Sequence, residues 1–489
     1  MRSRLLLLAV TAALVLGALP SGAVPVPVIA SDNIELLATF PDLTALSTAF
    51  AQDKPFMYVN SVNGISVYNI ANPALPVLTG FQPLAHFENE AMSVGERPDG
   101  TTFVLVGIDI YAVAPTSTKP THVTGGSAHQ LYVVDVTNPA APRIRGTVDT
   151  LSSSHTIQCI GKDCRYAYTS GAYNGGTWHI IDLANLDAPT VTVAPMKNVA
   201  GAGHQWDLDA AGYVWSTGFD GAAGYDVTDP LNPKAVASTD SNGNKGPYND
   251  FVLHNSFRPG ADNFTQTRDE ATGRLVSGSK ETANPADGNV LLVTEEDYDN
   301  PVCGGGAGEG TFSTWYLPYT EAEQYAGDYA AGGNGNRGKM TPLDRWNTEI
   351  LNSGQPTVAG ALCSAHYFTY HEASGLVAQG WYQQGTRILD VRNPRDIKQI
   401  GYFFTGDTET WHAYWVPEYV NGKQTGNDTN LIYTNDVARG IDVLKVTLPT
   451  TTPEESIPVT APILPQWLAL APVQASAPSP KFGYACRIA

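Results

Sequence analysis

Five of the ten histidines in this chain stand at the head of similar short runs of strand-forming residues. They are His155 before Thr-Ile-Gln, His204 before Gln-Trp-Asp, His254 before Asn-Ser-Phe, His366 before Tyr-Phe-Thr and His412 before Ala-Tyr-Trp. Glu90, before Ala-Met-Ser, holds the corresponding place in an earlier run. Imidazole and carboxylate groups are accepted by copper, iron and zinc alike, so one layer of these side chains would hold a transition-metal ion at about 2.0–2.2 Å. The same ring without an ion would be a polar plug of neutral imidazoles bonded to water and strand ends. Glu295 and Glu296 close another strand-like run, Val290 to Thr294. Either carboxylate beside a metal-bound water would serve as a general base or orient a ligand imidazole, and each taken singly also reads as a solvated acid. His86, His122, His129, His179 and His371 fall outside the shared phase and read as ordinary histidines.

Holding these residues in one layer requires a repeat. Ile65-Ser-Val-Tyr-Asn-Ile-Ala-Asn-Pro73, Leu131-Tyr-Val-Val-Asp-Val-Thr-Asn-Pro139 and Arg387-Ile-Leu-Asp-Val-Arg-Asn-Pro394 share one order: strand residues, Asp or Asn, then a proline turn. The segments at His179 and Ala223 follow the same pattern. Upstream of these hairpins lie seven further strand-like runs, starting at Phe56, Phe103, Tyr166, Tyr213, Val290, Leu376 and Leu431. Alternating strands at this spacing bury both faces by stacking as four-stranded sheets around a channel, so the sequence predicts an all-β fold, a seven-bladed β-propeller with a His-rich central channel. The last unit lacks a fourth strand after Ile441–Val446, and Ile34–Phe40 is expected to supply it and close the ring.

The first 23 residues have a basic start, an apolar run too short to span a bilayer and small residues at Ser21-Gly22-Ala23, which predicts a cleaved export signal and a secreted, extracellular protein. The propeller is expected over 34–446, followed by a Pro/Thr/Ala-rich tail over 447–489. A net charge of −19 argues against nucleic acid and anionic membrane surfaces as partners, and no later segment is apolar enough to span a membrane. Five cysteines in an exported chain read as disulfides. Cys159 and Cys164 bracket a tight turn and are expected to pair, while Cys303 with Cys363 is a conceivable second bridge. There is no Gly-x-Ser-x-Gly elbow, phosphate-binding glycine loop or His-Glu-x-x-His helix.

The segments Asp135-Val-Thr-Asn-Pro139, Asp390-Val-Arg-Asn-Pro394 and Arg439-Gly-Ile-Asp-Val-Leu444 resemble the LVIVD-repeat β-propellers of exported bacterial proteins, over most of residues 34–446. No Asp-Val-x-Asn-Pro follows Thr294 in the fifth unit. The resemblance implies a propeller and says little about chemistry. Two functions are therefore expected to compete. One is a metal-dependent oxidase, oxygenase or hydrolase acting on a small molecule, with the histidines and Glu90 on the ion and Glu296 or Glu295 managing protons. The other is a monomeric, non-catalytic extracellular scaffold recognising a protein or glycan.

Overall fold

The computed structural model describes residues 28–40, 45–84, 89–108, 111–113, 120–122, 131–148, 154–170, 178–193, 203–219, 221–239, 252–297, 310–330, 339–348, 363–405 and 408–459. Within them, seven antiparallel four-stranded blades follow one another in chain order. Their innermost strands are Ala45–Phe50, Ser93–Glu96, Ile157–Ile160, Gly203–Leu208, Val252–Phe257, Ala365–His371 and Thr410–Val420. All seven upstream runs become the second strand of a blade, buried on both sides as in Val290–Glu296.

The repeated Asp/Asn-proline motif is turn chemistry. In blade 2, Asp135 Oδ1 accepts from the Thr137 backbone N–H at 3.0 Å, and Asn138 Oδ1 then accepts from Ala140 at 3.2 Å. Blade 6 repeats the pair with Asp390 to Arg392 and Asn393 to Arg395. Such side-chain acceptors mimic the backbone turn that carries the third strand into the outermost one. The turns also join neighbouring blades. Tyr168 of blade 3 donates to the Pro230 carbonyl of blade 4 at 2.6 Å, and Tyr433 of blade 7 reaches the Pro73 carbonyl of blade 1 at the same distance. Between blades the packing is apolar, as where Val104, Val106, Tyr132 and Val134 meet Tyr58, Ile65 and Val67.

The ring closes as the sequence predicts. Ile34–Phe40 pairs antiparallel with Gly440–Val446 as the outermost strand of blade 7. Just before it, Val28–Ala30 adds a fifth strand to blade 6 by pairing with Lys398–Thr405, so one segment stitches two blades together. This short strand has no counterpart in the repeat.

Blade 5 carries elements added to its four strands. Between its first two strands lie two short 3-10 turns and a small hairpin, Thr267–Arg268 with Leu275–Val276. Its third and fourth strands are separated by a helix, Ala322–Ala330. The expected export signal over residues 1–23 lies outside the described residues. Of the tail, residues 447–459 are described and rest on the propeller, with Thr447 donating to the Asn33 carbonyl and Ile457 to that of Gln399. Cys159 and Cys164 form a disulfide across their turn, with Cα atoms 4.8 Å apart. Cys363 is also disulfide-bonded, while Cys303 lies outside the described residues. Among the described residues no helix is long and apolar enough to cross a membrane.

Candidate metal centre

The innermost strands enter the channel at one mouth, and most begin with a break in register. In blade 4, Gly203 faces Gly218 and Gln205 faces Thr217, leaving His204 as the extra residue. Blade 6 skips from Ala365 to Phe368, with His366 and Tyr367 between them, and blade 5 skips from Leu253 to Ser256 around His254 and Asn255. A bulge at a strand end re-aims a side chain, here away from the pleat and into the channel.

Four imidazoles and two carboxylates meet there, each at most 2% exposed. His155 Nε2 lies 3.1 Å from Glu90 Oε2, His204 Nε2 3.4 Å and His254 Nε2 3.2 Å from the same oxygen. His366 Nε2 approaches the other oxygen, Oε1, at 3.4 Å. Glu296 joins from the end of the second strand of blade 5, its Oε2 3.4 Å from His254 Nε2. The Tyr382 hydroxyl donates to the other oxygen of Glu296 and holds that carboxylate in place. Three donor groups of metal-binding spacing result: Glu90 with His155 and His204, Glu90 with His254 and His366, and Glu296 with His204 and His254.

The outward ring nitrogens explain what the inward ones carry. His204 Nδ1 lies 3.0 Å from the backbone carbonyl of His254, and His366 Nδ1 lies 3.1 Å from that of Trp411. A carbonyl only accepts, so each Nδ1 carries a hydrogen, and in a neutral ring this leaves the Nε2 lone pair turned toward the carboxylates. Burial pushes His204 down to about 4 and holds His254 well below the ordinary histidine range, so both rings are neutral at neutral pH. Burial alone would raise Glu90, but the imidazoles of His155 and His366 overcome it and hold the carboxyl well below the usual carboxylate range. Neither Glu90 oxygen, nor Nε2 of His254 or His366, makes a hydrogen bond of acceptable geometry. Buried donor atoms thus crowd together with several of them unsatisfied, an arrangement that a cation between them relieves.

His412 stands apart from this group. In blade 7 the register break falls at Trp411, between Thr410 facing Asp436 and His412 facing Asn435, which matches Ala45, Leu46 and Ser47 in blade 1 and Gly203, His204 and Gln205 in blade 4. Trp411 is therefore the equivalent of the other histidines, and its carbonyl takes the His366 hydrogen bond just as that of His254 takes the His204 bond. His412 lies one residue deeper and stacks on Tyr367, with ring centroids 3.9 Å apart and planes 9° apart, and on Tyr414 at 5.0 Å. Its ring belongs to none of the donor groups. The first ring position is Leu46, which packs with Trp411, Tyr382 and Val437, so blades 7 and 1 give the ring an apolar side. Glu295 also belongs to none of the donor groups, its Oε2 accepting from Thr311 at 3.4 Å. Sequence reasoning did not assign Tyr382 the part of holding Glu296, and only its place at a strand end on the same mouth pointed to it.

No protein-family model and no curated protein sequence matches this chain. Among solved structures it is similar to the β-propeller domain of Cps50 (Swd1) from Myceliophteria thermophila. The TM-score is 0.50 at 9% sequence identity, over 85% of this chain and 100% of that one. At that identity the likeness concerns the fold alone.

Proposed function

We propose that this protein is an exported, metal-dependent enzyme whose channel centre binds copper, iron or zinc through His155, His204, His254, His366 and Glu90. The observation that carries the reading is the convergence of four Nε2 atoms on the Glu90 carboxylate at 3.1–3.4 Å, with neither Glu90 oxygen nor Nε2 of His254 or His366 in a hydrogen bond of acceptable geometry. In this reading the ion supplies Lewis-acid or redox chemistry to a small-molecule substrate, for oxidation, oxygenation or hydrolysis. Glu296, fixed by Tyr382, takes up or returns the proton at its Oε2. Export agrees with the Cys159–Cys164 disulfide, and the Asp/Asn-proline turns support membership of the LVIVD-repeat propellers.

A second reading, an ion that only braces a binding scaffold, is favoured by the near-complete burial of every donor. Elemental analysis of protein dialysed after exposure to each metal tests the site itself. At least one ion per chain is expected, reduced in His204→Ala and His366→Ala and unchanged in His371→Ala. Retention of no copper, iron or zinc overturns it. Solvent-proton relaxation of the copper-loaded protein separates the two functions, because an open coordination position enhances relaxation and a closed brace does not.

A further inference from the structure

The donor set is larger than one ion needs. Four imidazoles and two carboxylates offer as many as eight donor atoms, whereas a first-row ion takes four to six. They are also spread out. Donors on opposite sides of one ion with bonds of about 2.0–2.2 Å stand at most about 4.4 Å apart. No group of donor atoms lying within 4.8 Å of one another contains both His155 and His366 among the described residues. The donors fall instead into overlapping groups: Glu90 joins one with His155 and His204 and another with His254 and His366, and Glu296 with His204 and His254 forms a third across them.

Glu90 is shaped for that division. Its Oε2 faces His155 at 3.1 Å, His204 at 3.4 Å and His254 at 3.2 Å, and its Oε1 faces His366 at 3.4 Å, so between them its two oxygens reach both ends of the histidine arc. The order of the blades fixes this arc, because His155, His204, His254 and His366 come from blades 3, 4, 5 and 6 in succession. Neighbouring rings are 5.0, 3.9 and 4.2 Å apart along it. Glu296 adds its charge beside His254 and His366, with Oε2 3.4 Å from His254 and Oε1 3.8 Å from His366, and shares a donor group with His204 as well. Two carboxylates, one central and one terminal, also spread negative charge over both halves.

From this geometry we infer that the channel holds two transition-metal ions bridged by the Glu90 carboxylate, one on His155 and His204 and the other on His254 and His366 beside Glu296. The inference rests on the proposed metal function of the same residues. A bridged pair of this kind places its ions roughly 3.5–4 Å apart and leaves coordination positions free on each, which one ion surrounded by every donor would not. The ligands it selects are small molecules able to touch both ions, such as dioxygen, hydroxide or a carboxylate.

Copper(II) added to metal-free full-length protein tests this, with total copper measured by elemental analysis and unpaired spins counted by electron paramagnetic resonance. The expected result is two coppers per chain with a spin count well below the copper content, because a carboxylate bridge couples the pair. His155→Ala and His366→Ala should each bind one copper with full spin intensity. Glu90→Gln should lose the coupling, and circular dichroism checks that each variant folds. One copper per chain in the wild type overturns the paired site while leaving a mononuclear centre standing. Two coppers at full spin intensity also overturn it, since the second ion is then elsewhere. No bound copper, with iron and zinc also refused, overturns the metal reading as a whole.

Discussion

At the scale of single residues, the position of a histidine within its bulge decides its chemistry. His412 has the same sequence surroundings as the four clustered histidines, yet it stacks between Tyr367 and Tyr414 because Trp411 occupies the ring position. His412→Ala is therefore expected to keep the full metal content while losing stability, about 0.5–1.5 kcal/mol of it from the aromatic stacking alone. Elemental analysis and a urea titration on one preparation check both halves. The pH response belongs to His204. An unfolded histidine titrates near 6.5, whereas buried His204 titrates at about 4, so between these values the unfolded chain binds the extra proton. The stability of metal-free protein should then be complete above about pH 6.5 and fall as the pH drops toward 4, by roughly 3 kcal/mol from this group. His254 acts in the same direction. A His204→Gln variant should show a flatter urea midpoint over that range, and equal slopes for the two proteins would contradict the assignment.

At the scale of elements, the site depends on backbone that cannot yield. A β-carbon on Gly380, in the second strand of blade 6, would lie 2.5 Å from the Trp411 carbonyl oxygen and 2.9 Å from the His412 nitrogen. That carbonyl takes the His366 hydrogen bond, so any shift passes directly to a donor ring. Gly380→Ala should cost about 1–3 kcal/mol and lower metal content, measurable by thermal melting and elemental analysis. The blades themselves were legible in the sequence because their turns repeat one local chemistry, in which Asp135, Asn138, Asp390 and Asn393 each accept a hydrogen bond from the residue two places on. The phase of the site was legible to within one residue. His-Ala-Tyr-Trp and His-Tyr-Phe-Thr look alike as strings, and the slip between them shows only in the cross-strand pairing of Thr410 and Ala365. Val28–Ala30 was not legible, being three residues whose partner strand is set by the tertiary fold.

For the whole molecule, closure joins the two ends of the propeller. Removing residues 28–40 leaves the Gly440–Val446 strand with an open edge and deprives blade 6 of its fifth strand. The truncated protein is expected to melt at a lower temperature, to self-associate on gel filtration and to lose its metal, and an unchanged melt would show that the ring does not depend on this seam. The seam also sets an order of events. Ile34 pairs with Val446, so a strand made early waits for the last blade, and joining chain ends roughly 400 residues apart costs about 5 kcal/mol of loop-closure entropy. Before that step the donors of blades 3 to 6 would line an open arc, whereas in the closed ring they are at most 2% exposed. An ion captured during assembly would then leave on the timescale of ring opening, so its loss to an external chelator would track the unfolding rate and serve as a clock for the seam.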